Sequence, residues 1–460
     1  MAMEQKYILA ADVGTSSVKT GLFDLSLNLL KQTRATHDYV TRGVEVEIDP
    51  ETLFDSFLRS LEGLKEYLPQ VVAMGFSAIC PNMILMDKSG KALANGILHL
   101  DRRSEKQGFE ILEKVGLEKF LSVAGNVPCP GGMTVTSLMW LRENRPDAYE
   151  NMHRFGHTTT FLIRKLTGNF IIDPPNAAFN GLYDTVGNTG WSEEMCERLG
   201  FSTNILPTVR NGYEEAGRLT KEASQLTGLP EGTLVVTGGA DTACSVFGAG
   251  CVSDGQLLNT TGTVEALCLC SARPNFTGKY LLRPACNPGH WLVMNMIGAG
   301  GESLNWYYRV FCHDMDKDTF FHKFLPEALR RSDTGVEMTP HLAGDRTCVA
   351  NKAAVITGLT LSTRREDILL ALLQGLVKQL ADGMDDFARI SKLSDTIIYT
   401  GGGAQALLDL KKKVFHQFHF VPMDDCAMKG IAKLIKSAIF SRSTTSSSGL
   451  GNFISHIPPG

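Results

Sequence analysis

The feature that most constrains this chain is a pattern that occurs twice. Residues 8 to 24 read ILAADVGTSSVKTGLFD, and residues 255 to 270 read GQLLNTTGTVEALCLC. Each is a strand-forming run, a turn dense in glycine and hydroxyl groups, and a second strand-forming run. A plain surface hairpin needs only an Asn-Gly or Asp-Gly turn. The separation is far beyond the roughly 20–50-residue period of a solenoid. Two similar domains, each presenting a phosphate-sized turn to a shared cleft, account for the echo; two unrelated polar turns are the alternative. The 460 residues also exceed one ordinary hydrophobic core, so two domains are the expectation.

Between these hairpins, strand and helix signals alternate, which favours an α/β architecture. Asp49-Pro50 is a helix start, and Leu53, Phe54, Phe57, Leu58, Leu61, Leu64 and Leu68 follow at helical spacing. VVAMGFSAI reads as a buried strand, DILLALLQGLVKQLADGMDDFARI as a long amphipathic helix, and TIIYTGGGAQALLDLKKKVF as strand, glycine turn and helix. A net charge of −4 gives no reason to expect a nucleic-acid or membrane-surface partner. The eleven cysteines form no CxxC pair, which argues for reduced thiols and a cytoplasmic protein. Cys268 and Cys270, two apart on a strand, read as core packing rather than metal ligands. No apolar run approaches the roughly 18–20 residues of a membrane helix. The last twenty residues, rich in serine, glycine and proline, read as a mobile tail.

The first turn suits a polyphosphate. Gly14 permits close backbone approach, Thr15, Ser16 and Ser17 offer hydroxyls and N–H groups, and Lys19 offers positive charge. Asp12 would repel phosphate directly, so it implies Mg²⁺ as the bridge. A polar turn satisfying its own backbone is the bland alternative. No GxxxxGK[ST] occurs and no helix follows, so this is not a P-loop. In VVTGGADTACSVFGAG, Asp241 stands at a helix start, where an acid serves as an N-cap. The other reading is that Gly238 and Gly239 clear space for Asp241 to accept a proton from a substrate hydroxyl. Thr260-Thr261-Gly262-Thr263 would bring phosphate ligands near that acid. Gly401-Gly402-Gly403-Ala404 and the loop at residues 298 to 306 offer small-residue surfaces to a ring or phosphate.

Taken in order, Asp12-Val13-Gly14-Thr15, Gly239-Ala240-Asp241, Thr261-Gly262-Thr263 and Gly401-Gly402-Gly403-Ala404 resemble the FGGY carbohydrate kinases. The similarity covers residue 6 to about residue 437. GGMTVTSLMWLRENRP resembles that family's first signature, with Ser137 where lysine is usual. AVITGLTLSTRREDILLALLQG is similar to its second, with Asp367, Ala371 and Gln374 in place. DDCAMKGIAKLIK resembles its closing helix, with Gly430 and Ala432 at small positions. The resemblance implies two ribonuclease-H-like domains of the actin and hexokinase superfamily around a central cleft. They would span residues 1–245 (sugar and first phosphate turn) and 246–440 (nucleotide), with 441–460 as the tail. It implies ATP with Mg²⁺ and transfer of the γ-phosphoryl to a sugar or polyol hydroxyl. Asp241 would be the general base, and Asp12, with Asp241, would attend the metal. Gly14, Thr15, Ser16 and Lys19 would lie along the phosphates. Thr261, Gly262 and Thr263 would form the second phosphate turn, and Gly301, Asn305, Gly402, Gly403 and Ala404 the nucleotide wall. The family leaves room for a homodimer.

The sugar side departs from the family pattern. Cys80 stands where a glutamine is common, and His99 where tryptophan is common in LHLDRRS. Asp101 is the leading sugar-hydroxyl ligand, with an acid paired to Arg102 or Arg103 as the alternative. Asn82, His99 and Asn176 are further candidates. A five- to seven-carbon ketose phosphorylated at a terminal hydroxyl is the expected substrate, xylulose first. A glycerol or erythritol kinase, a heptulose kinase, and a non-catalytic actin-like nucleotide binder are the alternatives.

Overall fold

A computed structural model of the chain describes residues 5–262, 264–332, 334–402 and 405–445. It divides into two units. The first comprises Met1–Val252, Arg283–Gly289 and Asp425–Gly460; the second comprises Ser253–Leu282 and His290–Asp424.

The first unit is built on a seven-stranded sheet. β1 (Tyr7–Val13), β2 (Ser17–Asp24) and β3 (Leu29–Thr36) form an antiparallel meander. β4 (Val71–Ala78) pairs in parallel with the free side of β1, and β5 (Glu215–Arg218) and β6 (Leu234–Val236) complete the order β5-β6-β4-β1-β2-β3. The short β7 (Gly239–Ala240) also pairs with β4. β1 and β4 are buried on both faces, as their nearly unbroken apolar sequences require.

Two helices cover those faces. Asp49 caps α1 (Pro50–Leu61) by accepting from the Glu51 N–H at 3.0 Å, and Phe57 meets Phe76 of β4 edge-on with ring centroids 5.0 Å apart. Each large apolar side chain so buried stabilises the fold by about 1.5–3 kcal/mol. Leu58, on the expected stripe, is only partly buried. Gly75, one residue before Phe76, faces the opposite side, where Ile431 and Ile435 of α6 (Cys426–Thr445) pack. That closing helix therefore belongs to the first unit. The chain divides after Val252 rather than at residue 245, and residues 441–445 complete α6. Residues 446–460 of the expected tail lie outside the described residues.

The second unit repeats the topology. β8 (Leu257–Thr261) and β9 (Glu265–Ser271) form the second hairpin, flanked by β11 (Trp291–Ile297) and β10 (Leu281–Pro284), whose last two residues belong to the first unit. β12 (Thr396–Thr400) and β13 (His419–Pro422) add on the parallel side, giving β10-β11-β9-β8-β12-β13. Three antiparallel strands followed by parallel ones thus recur in both sheets, and the two polar turns occupy equivalent places. Cys268 and Cys270 are fully buried in β9. The long helix α4 runs from Arg365 to Ile390, preceded by α3 (Gly301–Phe311) and followed by α5 (Gln405–Val414). No described helix is long and apolar enough to cross a membrane.

Candidate active site

In the first unit the polar turn closes on itself and on β3. The Gly14 N–H donates to the Ser17 carbonyl at 2.9 Å, and His37 Nε2 donates to the Gly14 carbonyl at 3.2 Å. Thr15 is half-buried and Ser16 exposed, so their polar groups are open to a ligand. Lys19 lies 3.9 Å from Asp425, a loose pair that leaves its ammonium 41% exposed. Asp12 sits in register with Lys19 on one side and Ser77 on the other, and the Ser77 hydroxyl donates to its carboxylate at 3.0 Å. Burial, followed by the charge of Asp241, pushes the Asp12 carboxyl up to about 6. Two acids remote in sequence thus share one end of the sheet.

Asp241 reaches that position through the glycine pair. Gly238 has φ +71, and a Cβ there would lie 2.1 Å from the Phe76 carbonyl oxygen. Only glycine accommodates both constraints. Gly239 pairs with Ser77, and a Cβ on it would approach Cys244, Asp173 and Cys286. Ala240 occupies the cap position of α2 (Asp241–Gly248), and Asp241 is the first helical residue. Its carboxylate accepts from the Thr242 N–H at 2.6 Å and from the Thr242 hydroxyl at 3.1 Å. The N-cap reading of Asp241 therefore gives way. α2 is held in turn by α6, where Gly430 lets the Cys244 carbonyl approach and Gly248 admits the Cys426 carbonyl.

Behind this turn lies a buried polar cluster that sequence reasoning found only at Asn176. Asp173 caps the short helix Pro174–Ala177, accepting from the Asn176 N–H at 3.0 Å and the Asn176 amide at 2.5 Å. Asn176 Oδ1 accepts from His157 Nδ1 at 3.3 Å, while Nε2 accepts from the Thr134 hydroxyl at 3.4 Å. Asp173 and His157 are both fully buried. Burial pushes the Asp173 carboxyl up to about 6 and His157 down to about 4. The Arg283 guanidinium lies over the Phe179 ring, 4.0 Å from its centroid.

The two shifts oppose each other. His157, depressed in the folded state, contributes stability present above about pH 6.5 and lost as pH falls towards 4. Asp173, raised, contributes stability present below its ordinary 3.8 and lost as pH rises through 6. Between pH 4 and 6 the contributions cancel. Asp173→Asn is expected to uncover the His157 dependence, losing up to roughly 1.4 kcal/mol of stability per pH unit on acidification relative to wild type. Urea unfolding at pH 4.5 and 6.5 measures it; parallel profiles for the two proteins would disprove it.

The remaining sugar-side candidates sit tightly in the fold. Asp101 is completely buried and binds the Arg103 guanidinium through both oxygens, at 2.7–3.0 Å. It also accepts from the Val46 N–H at 2.7 Å. This is the paired-acid arrangement, with Glu47 as a second partner of Arg103 at 2.7 Å. Asn82, fully buried at the start of strand Asn82–Met86, donates to the Thr158 hydroxyl at 3.0 Å. His99 is half-buried, and Gly131, with φ +66, lies tight against the backbone of His99 and Asp101.

In the second unit the turns flagged in sequence converge. The Gly301 N–H donates to the Gly262 carbonyl at 2.8 Å, and Gly401 admits the Thr261 carbonyl where any Cβ would collide. Asn305 on α3 donates to Glu302 at 3.0 Å, and Gly402 has open space around it. Beneath the turn is an ion pair that sequence reasoning missed. Lys411 of α5 donates to Glu265 at 2.5 Å, Asn259 at 2.9 Å and Thr261 at 3.0 Å. Lys411 and Glu265 are each 1% exposed. Thr263, Gly403 and Ala404 lie outside the described residues.

Comparison with known proteins decides the family. Residues 7–248 match the model of the FGGY family of carbohydrate kinases, N-terminal domain, and residues 257–411 match the C-terminal domain of the same family. The chain belongs to the FGGY family of carbohydrate kinases. It is 25% identical to a xylulose kinase of Staphylococcus xylosus over 87% of this chain and 83% of that one. With a xylulose kinase of Bacillus subtilis it shares 26% identity over 87% and 81%. Its fold is similar to a gluconate kinase from Lactobacillus acidophilus, with a TM-score of 0.86, 20% identity, and 95% and 90% of the two chains covered.

An FGGY carbohydrate kinase is an enzyme acting on a small molecule, and the family implies ATP as donor. Among the described residues no group of three or more His, Cys, Asp or Glu side chains could hold a metal. Mg²⁺ does not require one: one or two carboxylates plus substrate phosphates and water suffice. Asp12, raised by burial and then by its neighbour's negative charge, has the electrostatic surroundings that a divalent cation relieves. The residues that sequence reasoning passed over left faint signals: Ser77 as a hydroxyl in an apolar strand, His157 at the head of a threonine run, and Arg283 in an apolar strand.

Proposed function

We propose that this kinase transfers the γ-phosphoryl of Mg-ATP to a terminal hydroxyl of a five- to seven-carbon ketose, with xylulose the first substrate to test. The observation that carries the reading is the pairing of Asp12 and Asp241 at one end of the first sheet, close enough for Asp241 to raise the Asp12 carboxyl. A scaffold that only bound nucleotide would have no use for a second acid there. Asp241 accepts the hydroxyl proton as the oxygen attacks phosphorus. The new oxygen–phosphorus bond forms while the bond to the ADP oxygen breaks. Asp12 would hold Mg²⁺, which when bound would neutralise charge on the phosphates. The N–H groups and hydroxyls of Gly14, Thr15 and Ser16, with Lys19, orient the phosphate chain. Thr261 and Gly262, braced by Gly301 and Gly401, form the second phosphate turn, and Asn305 and Gly402 the nucleotide wall. Most of the rate enhancement in phosphoryl transfer comes from such positioning.

The test is ADP release with Mg-ATP across ketoses, polyols and sugar acids. Turnover of about 1–100 s⁻¹ on one ketose of five to seven carbons supports the reading. ATP binding without ADP release on any member of the panel would overturn it.

A further inference from the structure

Arg283 is the charge in the first unit for which the fold supplies least. Its side chain is 2% exposed, and Nε and Nη1 have no hydrogen-bond partner. Among the described residues no carboxylate forms an ion pair with it. Its guanidinium lies over the Phe179 ring face, and the buried Asp173 carboxylate is near enough to feel its charge. Asn180, the residue after Phe179 in sequence, is fully buried, and neither its amide oxygen nor its nitrogen has a partner. A guanidinium cannot shed its proton to escape burial, so a buried one whose Nε and Nη1 donate to nothing is a costly arrangement for a core to hold. Buried polar groups left open in this way mark places where something else binds.

The surroundings narrow what that is. Arg283 opens the segment Arg283–Gly289, and Cys286 of this segment lies against Gly239, two residues before Asp241. The open donors therefore belong to the same neighbourhood as the reacting hydroxyl. Asp173, which also approaches Gly239, keeps both oxygens on Asn176 and does not close onto Arg283. One cation among nearby acids suits a monoanion and repels a dianionic phosphate. The Phe179 ring backs the guanidinium while Nε and Nη1 stay without partners, donors that suit a planar carboxylate.

We infer that Arg283, with Asn180, is a specificity socket for a carboxylate on the substrate chain, so that the preferred acceptor is a ketose chain that carries a carboxylate rather than the neutral ketose of the same length. This rests on the kinase reading and refines its substrate. Arg283 supplies the charge, and Asn180 supplies a donor and an acceptor for the carboxylate or the hydroxyl beside it.

The experiment compares kcat/KM for five- and six-carbon aldonates and ketoaldonates with length-matched ketoses and alditols. It uses the wild type, Arg283→Met, Arg283→Lys and Asn180→Ala. An acid-to-neutral ratio of at least about tenfold in the wild type, falling at least about tenfold in Arg283→Met and partly restored in Arg283→Lys, is expected. A wild-type preference for neutral substrates, for sugar phosphates over carboxylates, or a ratio unmoved by Arg283→Met would overturn the socket. If Arg283→Met does not fold, the same ratio in Arg283→Lys and Asn180→Ala decides. Calorimetric titration of the aldonates into Asp241→Asn separates the two claims. Carboxylate binding without wild-type turnover of any substrate would end the kinase reading and leave the socket. Turnover of neutral ketoses without carboxylate binding would end the socket and leave the kinase.

Discussion

Asp241→Asn is expected to lower kcat about a thousandfold while leaving the protein folded and the sugar KM within a few-fold of wild type. Asparagine keeps an oxygen to accept from Thr242, so the start of α2 is preserved. On the proposed mechanism it removes the group that takes the hydroxyl proton, and general-base contributions run from about 10² to 10⁴ in rate. A kcat loss without a KM change identifies an interaction made only in the transition state. The substitution has a second, independent consequence. Asp241's charge helps to raise Asp12, so removing it lets the Asp12 carboxyl fall from about 6 towards its ordinary range. Single-turnover ADP formation with pH variation reads both effects. A loss below tenfold, or one confined to KM, would show that Asp241 serves α2 rather than the reaction.

Much of this architecture is legible in the chain because its signals are local. The two hairpins, the capped helix at Asp49-Pro50 and the glycine pair before Asp241 each declare themselves within seventeen residues. Backbone sterics are also local, which is why Gly238 can be singled out before its collision with the Phe76 carbonyl is seen. The buried polar cluster is different. Asp173, His157 and Arg283 lie far apart in sequence, and what matters about them is burial without full partnership, a property of three-dimensional packing. Asp101 shows the converse. Its sequence neighbours offered either a sugar ligand or an arginine pair, and only packing reveals the carboxylate wrapped by Arg103 and the Val46 N–H. The membership of α6 was hidden for the same reason. Its small residues are visible in sequence, but that they admit the carbonyls of α2 is not.

Lys411→Met should be the most destabilising single change in the second unit, by about 3–5 kcal/mol. Lysine at 1% exposure is tolerable only because Glu265, Asn259 and Thr261 receive its three N–H bonds. Glu265 already has one oxygen, Oε2, without a partner. Taking Lys411 away leaves a buried carboxylate held by the Asn259 amide alone on its other oxygen, at 2.6 Å, apart from a long contact to Thr261. Breaking a buried pair in this way costs far more than replacing both partners, because the surviving charge is uncompensated. The double variant Lys411→Met with Glu265→Gln should therefore recover a large part of the loss. The functional consequence follows from Thr261. Its hydroxyl is tied to Lys411 and its carbonyl lies against Gly401, so the ion pair fixes from below the turn proposed to hold phosphate. Loss of nucleotide affinity should accompany the fall in urea midpoint, and both should return together in the double variant. A single variant as stable as wild type would mean that Lys411 gives Glu265 no net compensation, and that the turn is held by Gly301 and Gly401 alone.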